Sequence, residues 1–398
     1  MNRKWYILLS TSGGFFLWGV IASVAPLATS WSIFNNPIFT TIALITGPVF
    51  MLAGNYIMGH YSDVYGRKKI FIITILIYAA GSLVIYFSVS FLMFEIGLAL
   101  ANFGIGGEEP PSLAILSENF EPSERKYTLT LIPNMFNVGG LILAYISMMP
   151  FFSQENVQRI PFLIISLISV ILLLMIRISV PESYLWLKKN GMENESEILK
   201  KELNIKNEGI KKPLPSKALV YTVLILLGIS QYMSFWLLAL AIGPYYYPEN
   251  VGIIVFVSML GATIGGFLST IPLKLGKKKF VLFSFSAGLI SMIVLMPFIK
   301  EFGYFLIILF INMIFSEFGW VSRTNLEPEL FETLRRSRGI ATVRIIPITL
   351  YIIMLYLSAH FTIFEFIIIN VILWSVGVIA SIIWYFRGIE TMDISLNF

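Results

Sequence analysis

The chain has 398 residues, of which 57% are hydrophobic and only 13% charged. Soluble domains carry about 25% charged residues, so this chain has too little charge to clothe a water-facing surface, and most of its surface must meet lipid. The formal charge of +5 is modest. Cysteine is absent and the only histidines are His60 and His360, which excludes disulfides and thiolate metal sites and argues against a histidine-based metal site.

A bilayer core about 30 Å thick needs roughly 20 apolar residues of helix. The first such stretch, 5–28, is too long for a signal-peptide core, so it is expected to stay as a membrane helix. Five more follow at 38–58, 70–89, 91–116, 128–149 and 161–180. A polar interval from Pro181 to Ser216, rich in Lys, Glu and Asn, comes next, with a short amphipathic helix expected near Glu193–Leu203. Six further stretches occupy 218–242, 251–271, 280–298, 303–322, 340–359 and 362–386, and the joins between the third and fourth and between the eleventh and twelfth are nearly continuous. None alternates with a period of two, as membrane-barrel strands do. The expected class is an all-α membrane protein with twelve transmembrane helices. It divides into an N-terminal bundle over 1–180, a cytoplasmic linker over 181–216 and a C-terminal bundle over 217–398.

With the amino terminus inside, every lysine and arginine except Arg159 and Lys300 falls on one side, 26 of the 28. The positive-inside rule then predicts both termini in the cytoplasm, and a plasma membrane is the expected location. Three features recur at nearly one offset. Gly66-Arg67-Lys68-Lys69 returns as Gly276-Lys277-Lys278-Lys279 after 210 residues, Glu118 and Arg125 return as Glu329 and Arg336 after 211, and Glu182 returns as Glu390 after 208. Three matches in order, each at the same place in its half, indicate duplication.

These residues also carry a family likeness. Gly59-His60-Tyr61-Ser62-Asp63-Val64-Tyr65-Gly66-Arg67-Lys68-Lys69 resembles the loop signature of the major facilitator superfamily. Gly104-Ile105-Gly106-Gly107-Glu108-Glu109-Pro110, with Glu118 and Arg125, is similar to the fourth-helix pattern of metabolite:proton symporters in that superfamily. Glu329, Arg336 and Gly339 look like its second copy, and Pro181-Glu182-Ser183 resembles the sugar-porter signature after the sixth helix. There are departures. Leu273 stands where Asp63 would repeat, Leu98 where the fourth-helix pattern opens with arginine, and the first helix lacks the aspartate common in acid symporters. The resemblance implies two pseudo-symmetric six-helix bundles with a substrate site near mid-membrane between them. It also implies that Gly59, Asp63, Gly66 and Arg67 hold the halves together on the cytoplasmic side.

Glu118–Arg125 and Glu329–Arg336 are spaced for charge pairing at the inner helix ends, as ion pairs made in one state and broken in another. An acid at a helix centre costs about 2.5–3.5 kcal/mol to insert, so Glu95, Glu108, Glu109, Glu317 and Glu365 each need a reason. Glu95 and Glu365 lie near the outer surface and are expected to reach water. Glu108 and Glu317 are candidate proton carriers, the alternative being a structural pair with Arg125, Arg323 or Arg344. Pro110 and Pro111 each remove a backbone donor, so the fourth helix should kink there. Amides and aromatic rings suit a polyhydroxylated or zwitterionic ligand, which makes Gln231, Tyr232, Ser234, Trp236, Asn134, Asn137, Asn55 and Trp18 the candidate substrate residues.

The expected function is alternating-access transport of a small polar solute, a proton-coupled importer of a sugar or organic acid being favoured over efflux or uncoupled facilitation. An integral-membrane enzyme, a channel and a transport-dead sensor are the rivals from other classes; no catalytic cluster supports the first. The expected partners are a small-molecule substrate and the bilayer, with no cofactor, no nucleic acid and a monomeric state.

Overall fold

Backbone N–H and C=O groups inside a bilayer have no water to bond, so an apolar run that crosses one satisfies them internally as a helix. The computed structural model describes residues 3–150, 155–206 and 209–396. It contains twelve helices long and apolar enough to span a bilayer: α1 (Arg3–Ser30), α2 (Pro37–Tyr65), α3 (Arg67–Tyr86), α4 (Phe91–Glu118), α5 (Pro122–Ser147), α6 (Gln158–Ile178), α7 (Lys217–Tyr246), α8 (Pro248–Leu268), α9 (Lys277–Phe298), α10 (Phe302–Glu329), α11 (Thr333–Ser358) and α12 (Ile363–Arg387). Among the described residues the only β pairing is an isolated bridge between Ile210 and Ile394.

The nearly continuous joins break where local chemistry favours a cap. Ser90 accepts from Met93 N at 3.3 Å ahead of α4. Thr362 and Glu365 form a reciprocal capping box ahead of α12. Glu365 is therefore an exposed cap, in keeping with its expected contact with water. Three helices run further toward the basic end than hydropathy indicates. α10 continues to Glu329 rather than 322, α11 begins at Thr333 rather than 340, and α5 begins at Pro122 rather than 128. The added turns hold Arg323, Glu327, Glu329 and Arg336, which are buried. Their charges read as loop in a hydropathy scan, although pairing lets them stay inside.

The polar interval between α6 and α7 holds two short helices, Tyr184–Lys189 and Glu193–Glu202. α1 and α7 are the most enclosed spans, whereas α2 and α6 turn most of their surface outward. α1 approaches α5 closely: a Cβ at Gly19 would stand 1.7 Å from Phe136 O, and one at Gly139 would stand 2.0 Å from Phe16 O. Small residues at such crossings let helix backbones meet without side chains between them. The seam between α1–α6 and α7–α12 carries the candidate site.

Candidate gate and central site

At the basic end each half contains one copy of the same device. Gly66 turns the chain at φ 97 and Gly276 at φ 108, a region that favours glycine. The helix that follows each glycine opens with free N–H groups, and an acid from the end of the same half accepts them. Glu182 takes Arg67 N at 2.9 Å and Lys68 N at 3.2 Å. Glu390 takes Lys277 N and Lys278 N, both at 3.2 Å. Lys68 Nζ donates to Ile178 O and Lys278 Nζ to Gly388 O. Burial pushes the Glu182 carboxyl up from its ordinary range, while the Ser183, Arg67 and Lys68 N–H groups and the Arg67 charge pull against it.

The next layer crosses the seam. Arg67 is fully buried, pairs with Asp63 at 3.2 Å and Glu118 at 3.0 Å, and donates to Thr333 O in the other half at 3.0 Å. Asp63 accepts from Ser337 N at 3.3 Å and Arg338 N at 2.9 Å, so it caps α11. Gly59 lets α2 lie against α11; a Cβ there would stand 3.3 Å from Ser337 O. Lys277 pairs with Glu329 at 2.6 Å, the counterpart of Arg67–Glu118.

The expected pairing within each half is not what forms. Glu118 meets Arg336 at 2.5 Å and Arg125 meets Glu329 at 3.5 Å. Each acid thus takes an arginine from the opposite half, and Glu118 keeps Arg67 of its own half as well. The physical reason is the break between α4 and α5: Asn119–Glu121 is not helical, so Glu118 and Arg125 do not share a helix face. Arg125 instead also donates to Ile394 O of the C-terminal segment at 2.9 Å. Leu273, in the place of Asp63, packs among Phe280, Phe318 and Val321 and supplies no cap.

Deeper in the membrane α4 is interrupted at Gly107 and Glu108, just ahead of the kink expected at Pro110 and Pro111, and the two adjacent acids reach different partners. Glu108 pairs with Arg177 of its own half. Arg177, read from sequence as an inner-end cation, is buried. That pairing replaces all three partners expected for Glu108. Glu109 crosses the seam to Arg344, which also binds Glu327 at 2.6 Å. Glu327 pairs with Arg323 at 2.8 Å, and Arg323 donates to Gln231 Oε1 at 2.9 Å. Glu317 differs from these: among the described residues no cation pairs with it. It meets Asn137 of the other half, and its Oε1 has no partner. Glu95 was expected to reach water, yet it is half-buried, bonded by Thr46 Oγ1, with Oε1 buried and unpartnered.

Above this layer an aromatic cluster fills the seam. The Trp18 ring lies 4.7 Å from Phe136, 5.3 Å from Trp320 and 6.4 Å from Trp236. Trp236 lies 5.3 Å from Tyr232 and 6.0 Å from Tyr351. Trp18, Trp236 and Tyr232 are thereby brought together, whereas Gln231 is tied through Arg323 to the buried ion pairs. Asn137 donates to Asn134, and Asn134 donates across the seam to Thr263 O at 3.0 Å. Asn55 donates to Met51 O of its own helix. Among the described residues no bond or ring contact joins Asn55 or Ser234 to the cluster. Phe136, Trp320 and Tyr351 were not anticipated, because one ring inside an apolar helix makes no pattern. Buried nitrogens or oxygens of Trp18, Gln231, Tyr232, Ser234, Trp236 and Trp320 lack partners. The voids against the cluster measure about 20 and 10 Å³, room for about one water each and far too little for a solute. A solute can enter only if the halves move apart.

Twelve helices long and apolar enough to cross a bilayer, a repeated charge cluster at their basic end and a polar-aromatic seam define a two-half helical membrane protein. The profile of the Major Facilitator Superfamily matches residues 7–271, and the chain belongs to that family. It is 33% identical over 135 residues to NiaP of Bacillus subtilis (strain 168), a protein named for niacin/nicotinamide transport; the match covers 33% of this chain and 32% of that one. It is 26% identical over 218 residues to the minor myo-inositol transporter IolF of the same organism, covering 53% and 48%. The matches thus span about a third to a half of the length of these curated relatives. Its backbone superposes on XylE, a proton:xylose symporter bound to 6-bromo-6-deoxy-D-glucose, with a TM-score of 0.79 at 16% identity, covering 100% of this chain and 98% of that one. The protein is a multi-pass membrane protein of this family, and the relatives it resembles are named as transporters.

Proposed function

We propose that the transporter takes up a small polar metabolite, a sugar, polyol or organic acid, together with protons, and that Glu317 carries the proton. The observation that supports this most is a carboxyl buried on the seam with no counter-charge, facing Asn137 of the other half. A buried acid that is not neutralised by pairing is costly in one protonation state, so its proton can report which side the seam faces. The other buried acids of this layer, Glu108, Glu109 and Glu327, are held by arginines, which leaves Glu317 over Glu108. The unpartnered groups of Gln231, Tyr232, Trp18 and Trp236 are the proposed solute contacts, in line with the niacin and inositol named for two relatives. The basic end is proposed to face the cytoplasm, so that the bonds across Glu118–Arg336 and Arg125–Glu329 close the inward path.

Uptake into proteoliposomes tests this across a panel of sugars, polyols and pyridine carboxylates, with and without an imposed pH gradient. The expected result is saturable uptake of one class that an inward proton gradient drives uphill. Glu317→Gln should abolish accumulation while leaving solute exchange. Gln231→Ala should weaken binding about five- to tenfold, the worth of one hydrogen bond of about 1 kcal/mol. Flux indifferent to pH would return Glu317 to a structural role.

A further inference from the structure

We infer that a pocket at the basic end, between the first turns of α7 and α11, binds the phosphate headgroup of an anionic phospholipid. The pocket measures about 560 Å³, far larger than the voids at the seam. Lys217, Arg335 and Arg338 line it. All three are exposed, and among the described residues none has an ion-pair partner. Glu332 is the one acid on the lining, so the pocket keeps a surplus of positive charge. Its inner wall includes Tyr221 and Phe331, whose rings meet edge to face at 5.6 Å. Cations over an apolar wall suit a phosphate attached to something greasy. Arginine can bind such a group with two N–H donors at once.

The surface beyond the pocket says what the phosphate is attached to. Arg338 and Thr342 lie one helical turn apart on α11, and the same row continues outward-facing through Ile346, Leu350 and Ile353, each 38–50% exposed. Residues spaced by three and four share a helix face, so an apolar track leads from the pocket into the hydrocarbon region. A soluble phosphate would gain nothing from that track, whereas an acyl chain would lie along it. The helix-end position sets the pocket at headgroup depth, where polybasic sites attract anionic lipid.

The pocket floor is also part of the gate. Leu330, Phe331, Glu332, Arg335, Arg338 and Gly339 line it, and the same short segment bonds the other half: Thr333 O accepts from Arg67, Arg336 pairs with Glu118, and the Ser337 and Arg338 N–H groups bond Asp63. A lipid seated here holds that segment in the position that closes the seam. This site does not depend on which solute is carried or on proton coupling.

Native mass spectrometry of the purified protein with equimolar phosphatidylglycerol and phosphatidylcholine tests the assignment. One phosphatidylglycerol should be retained in preference to phosphatidylcholine. Lys217→Gln/Arg335→Gln/Arg338→Gln should lower its affinity about a hundredfold, since a basic residue near an anionic surface contributes about fivefold. Lys188→Gln/Lys189→Gln/Lys201→Gln, with equal charge removed from the linker helices, should retain the lipid. Thr342→Trp should evict it with all three cations in place, which keeps the test open if the triple variant misfolds. Equal retention of both lipids, or an unchanged affinity in the pocket variants, overturns the proposal. Displacement by glycerol phosphate at the lipid's own concentration would show a soluble-phosphate site instead and overturn the lipid assignment.

Discussion

Gly66 and Glu182 show how one residue constrains another far away in the chain. A Cβ at Gly66 would stand 2.3 Å from Glu182 Oε2, and the residue also sits at φ 97. Gly66→Ala therefore meets two costs, a left-handed backbone worth about 1–2 kcal/mol and displacement of the acid that caps α3. Gly191, at φ 80 with nothing within 4 Å of its Cβ position, carries only the first. Thermal unfolding in detergent should place Gly66→Ala below Gly191→Ala, and both below the parent. Equal losses would mean that the Glu182 contact contributes nothing. The same comparison was partly legible in sequence: the offset of Glu182 and Glu390 marked both acids as repeated, but not that each caps the helix after its glycine.

Helix ends carry the bonds between halves, and there the sequence was ambiguous for a physical reason. Glu118 is opposite in charge to both Arg125 and Arg336, and residue spacing favoured the nearer one. The non-helical turn at Asn119–Glu121 decides otherwise, and that turn has no strong signature beyond Pro122. The crossed pairing predicts coupling between α4 and α11. Leaving one member of a buried pair alone costs about 3–5 kcal/mol, a cost that parting of the halves relieves by hydrating the orphan. Glu118→Gln and Arg336→Gln should each speed maleimide labelling of a cysteine placed at Thr130, which bonds Asn325 across the seam at 3.0 Å. In a double-mutant cycle the two should couple by about 0.5–3 kcal/mol, the range for residues in contact. Additive effects would mean that Glu118 acts through Arg67 alone.

Over the whole molecule, hydropathy and charge placement were enough to read the number, order and type of the helices, because lipid leaves an apolar run few options. They did not reveal the aromatic cluster, since Trp320 and Tyr351 sit in helices whose other residues are equally apolar. The charge split of 26 to 2 becomes sharper in three dimensions. Arg159 is tucked over the Trp31 ring at 4.5 Å and donates to Ser88 O, so its charge is shielded at that end. Lys300 is then the one exposed cation there among the described residues. Lysine and arginine near span ends resist translocation, so the proposed orientation leaves Lys300 outside and the linker inside. The absence of cysteine makes this directly measurable. Cells carrying Lys300→Cys should react with a membrane-impermeant maleimide from outside. Cells carrying Lys189→Cys, exposed at the end of the first linker helix, should react only after permeabilisation. The reverse pattern would place the crossed ion pairs at the outer mouth, and the gate they form would then close the path from outside.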